Sequence, residues 1–116
     1  MRNICYTTAI QDIVLKKASK LWSETFQKDM AQEEAGELII AISHYRRGRV
    51  EISAVLEEVA DVLIVCRQLM LDHMMDDTLP EGEDAVSFVL NIIDQKMERL
   101  QGRVLRDEHS YKPRGI

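Results

Sequence analysis

Hydrophobic residues recur along most of this chain at the three- and four-residue spacing of amphipathic α-helices. Two segments interrupt that spacing strongly: RRGRV at 46–50, and DDTLPEGED at 76–84 with its Pro-Glu-Gly turn signal. A weaker break lies at 21–25, where Ser23 or Thr25 could cap a helix. The pattern predicts an all-α fold, a four-helix bundle with helices over residues 8–21, 25–47, 51–76 and 83–101.

The predicted helices differ in how their apolar residues are distributed. The first and fourth each carry one stripe, whereas the third is apolar nearly all round through VADVLIVC and the methionines beyond it. A helix that is apolar on every side is buried on every side. A single four-helix bundle of this size cannot surround one of its own helices. We therefore expect a homo-oligomer, a dimer or tetramer, with the second and third helices at its core. The alternative is a monomer with a large apolar surface.

Length and charge narrow the class of protein. The 116 residues predict one domain, with a helical domain at 1–103 and a polar C-terminal tail at 104–116 that we expect to be irregular. The chain has 15 basic and 20 acidic residues, so its net charge of −5 disfavours binding to nucleic acids or anionic membranes. Only two cysteines, no signal-peptide pattern and no membrane-spanning stretch predict a cytoplasmic protein.

Two acidic clusters stand at the edges of apolar runs. QEEAGELIIA at 32–41 and LEEVADVLIV at 56–65 each place carboxylates three or four residues apart, which puts them on one helical face. The second and third helices are joined by a short turn, so we expect an antiparallel hairpin. Counted outward from that turn, Glu37 is level with Glu58, and Glu34 is level with Asp61. The four carboxylates can therefore converge.

Four converging carboxylates repel one another unless a cation or protons neutralise them. Oxygen ligands without histidine or cysteine favour Mg²⁺, with Mn²⁺ as a possible substitute, over Zn²⁺. The competing interpretation is a solvated acidic face paired with lysine or arginine, which is common on helices. Against it, the residues four positions after these carboxylates are all apolar: Leu38, Ala41, Val62 and Val65.

The two motifs, EEAGE at 33–37 and EVAD at 58–61, resemble those of the MazG-like all-α nucleoside triphosphate pyrophosphohydrolases. The resemblance covers residues 10–103. It implies Mg²⁺-dependent hydrolysis of a nucleoside triphosphate between its α and β phosphates, giving a nucleoside monophosphate and pyrophosphate, in housecleaning of the nucleotide pool. Glu34, Glu37, Glu58 and Asp61 would hold the metal, and Glu34 or Glu37 would also polarise the attacking water.

The same resemblance extends to substrate binding. DQKMERLQGR at 94–103 is similar to a basic segment of that family, so Lys96 and Arg99 would bind the triphosphate. The structural alternative is an ordinary cationic helix C-terminus. Trp22 is a candidate for base recognition, although an aromatic residue in a small helical protein is more often part of the core.

Two other classes compete with the hydrolase. A di-iron carboxylate bundle needs Glu-x-x-His motifs, and none of His44, His73 and His109 has a glutamate three residues earlier. A non-catalytic helical interaction module could use the acidic clusters to bind a basic partner. Such a module does not require four carboxylates at matched heights on one hairpin, which favours the hydrolase.

Overall fold

The computed structural model describes residues 6–110, which contain four α-helices and no β-strand. The helices are α1 (Ala9–Trp22), α2 (Glu24–Arg46), α3 (Ile52–Asp72) and α4 (Ala85–Ser110). The prediction of an all-α chain with four helices is therefore confirmed. Within the described part, α1 to α3 belong to one compact unit that ends at residue 74, and α4 belongs to a second that begins at residue 75.

Helix α1 begins with a capping box. The Thr8 hydroxyl accepts a hydrogen bond from the backbone N–H of Gln11, and the Gln11 side chain accepts one from the N–H of Thr8. Each side chain thus satisfies a donor that the first helical turn leaves without a partner.

A single serine separates α1 from α2. Ser23 ends the first helix and caps the second, where its hydroxyl accepts a hydrogen bond from the N–H of Phe26 at 3.1 Å. Its φ of 82° lies in the region that favours glycine. This confirms the weaker of the predicted breaks and selects Ser23 over Thr25 as the cap.

The turn between α2 and α3 depends on a glycine. Gly48 has a φ of +71°, and the N–H groups of Gly48 and Arg49 bond to the carbonyls of Tyr45 and His44 at the end of α2. Such a left-handed residue closes many helices, and it costs an L-residue with a Cβ more than it costs glycine. The RRGRV segment therefore ends the helix as the sequence predicts.

Two glycine-to-alanine substitutions are expected to change stability in opposite directions. Gly48→Ala forces a Cβ into a left-handed conformation and should lower the free energy of unfolding by about 1–2 kcal/mol. Gly36→Ala lies inside α2, where a Cβ would meet no atom within 4 Å. It should raise stability by about 0.5–1 kcal/mol. Urea unfolding of both variants tests this, and stabilisation by Gly48→Ala would contradict the turn geometry.

An ion pair fastens α1 to α3. Arg67 donates to both carboxylate oxygens of Asp12, from Nε at 3.2 Å and from Nη2 at 2.9 Å. The two side chains are only 11% and 19% exposed, so this bidentate pair is better shielded than a surface salt bridge. Thr7 also donates to Asp12 at 2.7 Å, and the Tyr6 hydroxyl donates to the carbonyl of Leu63 at 2.8 Å. The guanidinium and the threonine hydroxyl hold the pKa of Asp12 below its ordinary value.

A buried polar cluster joins the same two helices farther along. The Ser19 hydroxyl donates to Asp72 at 2.6 Å, and the amide of Gln68 donates to both Ser19 and Asp72. Gln68 is 2% exposed, so the contact between α1 and α3 contains buried, hydrogen-bonded polar side chains.

The apolar stripe predicted for the first helix remains exposed in the single chain. Ile10 and Leu21 are 75% and 73% exposed, and Ile13 and Val14 are also exposed. The α1–α3 unit therefore leaves most of this stripe uncovered. The polar contacts of α1 with α3 are made by Asp12 and Ser19.

Helix α4 is longer than its sequence pattern predicts. Asp84 precedes it, and the Asp84 carboxylate accepts a hydrogen bond from the N–H of Ser87 at 2.8 Å. The helix continues to Ser110, whereas the sequence predicts an end near residue 101. Residues 104–110 are thus helical and not irregular, because Val104 and Leu105 extend the apolar spacing without a helix breaker. The rest of the predicted tail, 111–116, lies outside the described residues.

Within residues 6–110, no helix is long and apolar enough to cross a membrane.

Candidate metal centre

Three of the predicted carboxylates come together where α2 and α3 pack. Glu34 lies in the middle of α2, and Glu58 and Asp61 lie three residues apart on α3. That spacing places Glu58 and Asp61 on one face of α3, and the contact between the helices presents Glu34 to both. The α2–α3 contact is the most extensive between helices of this unit, so it sets the positions of all three groups.

The three groups are spaced almost as a metal ion requires. One carboxylate oxygen from each of Glu34, Glu58 and Asp61 lies within 4.8 Å of the others. Around a Mg²⁺ ion with oxygens at about 2.1 Å, octahedral ligands lie roughly 3–4 Å apart. Rotation of side chains alone could close that difference, because Glu34 and Glu58 are half-buried and Asp61 is exposed.

The electrostatics of the cluster favour a cation. The pKa of Glu34 is raised, first by partial burial and then by the negative charges of Asp61, Glu58, Glu33 and Glu37. Each of these neighbours opposes ionisation of Glu34, so the cluster holds either protons or a positive ion more readily than isolated carboxylates do.

One oxygen of the cluster provides an independent fit test for a metal. Glu58 Oε2 is buried and accepts no hydrogen bond from the described protein. A buried carboxylate oxygen without a partner is costly, and a divalent cation with oxygen ligands would remove that cost. Three carboxylates fit Mg²⁺ or Mn²⁺, and they would leave coordination positions for water or phosphate.

The remaining acidic residues lie around this group. Glu37 is exposed and is not among the three carboxylates that meet within 4.8 Å, although its charge still raises the pKa of Glu34. Glu33 and Glu57 are also exposed. The structure thus assembles three of the four predicted ligands and leaves Glu37 at the edge, within electrostatic reach.

The predicted substrate-binding residues lie on other elements. Lys96 and Arg99 are exposed on α4, in the unit that begins at residue 75. Trp22 is 58% exposed at the end of α1, where its ring contacts that of Phe26 edge-on with centroids 6.4 Å apart. Trp22 is therefore an accessible aromatic surface and not a buried core residue.

An apolar groove of the α1–α3 unit was not identified from the sequence. It lies between α1 and α3 with a volume of about 460 Å³. Ala60 and Ile64, which line it, lie within one helical turn of Asp61 along the sequence of α3. The spacing of these apolar residues along α3 was the sequence signal that could have indicated the groove. The lining comprises Tyr6, Thr7, Gln11, Val14, Leu15, Ala60, Leu63 and Ile64.

Comparison with known proteins gives no relative. No family model matches the chain, no curated protein matches it, and no solved structure matches it. Assignment of a function therefore depends on the residues and the geometry described above.

Proposed function

We propose that this chain is a Mg²⁺-dependent nucleoside triphosphate pyrophosphohydrolase of the MazG-like all-α type. It would add water across the anhydride between the α and β phosphates, and release a nucleoside monophosphate and pyrophosphate. The observation that carries the proposal is the convergence of Glu34, Glu58 and Asp61 within 4.8 Å, together with the buried, unpartnered Oε2 of Glu58.

The carboxylates have separate roles in this proposal. Glu34, Glu58 and Asp61 would hold Mg²⁺, and Glu37 at the edge of the cluster would complete the set or act beside it. When bound, the metal neutralises phosphate charge and lowers the pKa of a coordinated water. Glu34 or Glu37 orients the attacking water and accepts its proton.

The substrate requires contacts beyond the metal. A triphosphate carries more negative charge than one Mg²⁺ can balance, so Lys96 and Arg99 on α4 are proposed to bind its oxygens. Trp22 is proposed to contact the base, since its exposed ring offers a stacking surface.

The proposed assembly is a homo-oligomer of four-helix bundles, with α2 and α3 as an antiparallel hairpin at its core. Support comes from apolar side chains of both helices that the α1–α3 unit leaves exposed: Ile39, Ile40, Ile42, Leu56, Leu63 and Ile64. Burial of such side chains against a second copy would be favourable. The cytoplasm, where nucleoside triphosphates are abundant, is the proposed location.

Thermal unfolding with and without Mg²⁺ tests the metal site apart from catalysis. An ion that binds only the folded state stabilises it, by about 2.7 kcal/mol at 100 times its Kd. We expect Mg²⁺ to raise the Tm of the wild type but not that of Glu58→Gln. Sodium chloride at matched ionic strength controls for screening, and Glu57→Gln controls for loss of an exposed neighbouring carboxylate. An equal shift in wild type and Glu58→Gln would contradict the site.

A further inference from the structure

Another carboxylate of α3, outside the candidate metal centre, has a buried oxygen without a partner. Asp72 is the last residue of the helix and lies about 16 Å beyond Asp61 along its axis. Its Oδ1 accepts hydrogen bonds from the Ser19 hydroxyl at 2.6 Å and from the Gln68 amide at 2.9 Å. Its Oδ2 is buried and accepts no hydrogen bond from the described residues. One oxygen of the carboxylate is thus removed from water without compensation, which is costly for a charged group.

The surroundings of Asp72 do not balance its charge. The two groups that donate to Oδ1, a hydroxyl and an amide, are neutral. The last turn of α3 contains no basic residue. The C-terminus of a helix carries partial negative charge, so a carboxylate at that position is destabilised and a cation is stabilised. The end of α3 therefore concentrates negative potential beside a buried oxygen.

The side chains around this oxygen are held in place by one another. Ser19 on α1 is 8% exposed and Gln68 on α3 is 2% exposed. The Gln68 amide donates to Ser19 at 2.5 Å as well as to Asp72, so the three groups form a closed set of hydrogen bonds across two helices. A hydroxyl oxygen has two lone pairs, and Ser19 uses one of them for Gln68. Its second lone pair is left for a further ligand.

The charge of the cluster selects the kind of ligand. Asp72 contributes a single negative charge, and Ser19 contributes a neutral oxygen. Mg²⁺ gives up its water reluctantly and usually keeps several water ligands, which a buried oxygen does not accommodate. A divalent ion would also leave a net positive charge in the contact between α1 and α3. A monovalent ion balances the charge of Asp72 and accepts neutral oxygen ligands.

We propose that Asp72 and Ser19 bind a monovalent metal ion, Na⁺ or K⁺, where the ends of α1 and α3 meet. Asp72 Oδ2 and the free lone pair of Ser19 supply protein ligands, and Gln68 orients both groups. The bound ion stabilises the contact between the two helices, so the stability of the fold depends on the kind of salt. The proposal depends neither on the cluster of Glu34, Glu58 and Asp61 nor on nucleotide hydrolysis.

Thermal unfolding of the full chain in different chloride salts tests the site. The salts are potassium, sodium and choline chloride at equal ionic strength, which equalises screening. A chelator removes divalent ions, and choline is too large to enter a buried site. We expect a Tm higher by about 5 °C in the potassium or the sodium salt than in the choline salt. The same Tm in all three salts would overturn the proposal.

A matched pair of aspartate substitutions locates the effect. Asp72→Asn keeps the shape of the side chain but removes its charge, so its Tm should be the same in the three salts. Ser19→Ala removes the second ligand and should reduce the difference between salts. Asp29→Asn changes an exposed aspartate on α2 and should keep the difference of the wild type. A difference that persists in Asp72→Asn, or that Asp29→Asn also abolishes, would overturn the assignment to this site.

Discussion

Glu58→Gln is expected to lower Mg²⁺-dependent pyrophosphate release from nucleoside triphosphates by at least about 100-fold. This is the upper end of the range of losses in metal affinity or activity when a group that supports a bound metal is removed. Glutamine has nearly the same shape as glutamate but no charge, so the metal would lose an anionic ligand with a buried oxygen. The effect should be mainly on kcat, because the charge that the metal neutralises increases in the transition state. Initial rates of pyrophosphate release at saturating nucleotide measure it.

The adjacent glutamate supplies the matched control. Glu57 is exposed and does not belong to the group of three carboxylates, so Glu57→Gln should retain activity within a few-fold of the wild type. Equal losses in the two variants would indicate a general effect of negative charge on α3 and not a metal ligand.

The stability of Glu58→Gln without metal separates a lost ligand from a damaged fold. Removing one negative charge relieves the repulsion among Glu34, Glu58 and Asp61, and the new amide can donate to the remaining carboxylates. Metal-free Glu58→Gln should therefore unfold at a higher temperature than the metal-free wild type. If the variant were inactive and also less stable, misfolding would explain the loss of activity. That result would also contradict the repulsion among the carboxylates from which the site is inferred.

Asp12→Asn is expected to lower the free energy of unfolding at neutral pH by about 1–3 kcal/mol. The substitution removes the charge that pairs with Arg67 in a contact where both side chains are largely shielded. It weakens two hydrogen bonds that hold α1 against α3. Urea unfolding measures the difference. Asp29→Asn removes an exposed aspartate on α2 and is expected to change stability by less than about 0.5 kcal/mol.

The pH dependence of that difference follows from the lowered pKa of Asp12. A carboxylate whose pKa is lower in the folded state contributes its stability above the pKa of the unfolded chain, about 3.9 for aspartate. The contribution is lost as the pH falls through the folded value. The gap between wild type and Asp12→Asn should thus be full at neutral pH and shrink below about pH 4. A gap that grows on acidification would contradict the ion pair.

The helices were predictable because their boundaries depend on local signals. Gly48 and Gly82 both adopt positive φ, at the two segments where the sequence predicts strong breaks. The end of α4 was less predictable. Gly102 lies inside that helix, and the residues after Leu105 are mostly polar, so the pattern suggests a tail. Helix propensity and the apolar side chains of Val104 and Leu105 instead continue the helix.

The carboxylate site was predictable in part. Counting residues from the turn gives the height of a side chain along a helix, and it correctly brings Glu34 beside Asp61 and adds Glu58. It does not give the direction in which each side chain points. Glu34 and Glu37 differ by about 60° around α2, which is enough for Glu34 to face α3 while Glu37 remains exposed.

The contact between α1 and α3 was not predictable from apolar spacing. Apolar periodicity identifies a face that requires cover, but it does not say whether the same chain or another copy supplies the cover. The exposed stripe of Ile10 and Leu21 illustrates this. Two side chains of α1 that bond to α3, Ser19 and Asp12, are polar, and their partners Gln68 and Arg67 become evident only when the helices are placed together.

Product analysis of the wild-type reaction tests the central claim most directly. The chain would be incubated with a panel of ribonucleoside and deoxyribonucleoside triphosphates, with Mg²⁺ and with a chelator in its place. We predict nucleoside monophosphate and pyrophosphate in equal amounts from at least one nucleotide, and neither product with the chelator. Release of orthophosphate with a nucleoside diphosphate, or no hydrolysis of any nucleotide in the panel, would contradict the proposed function.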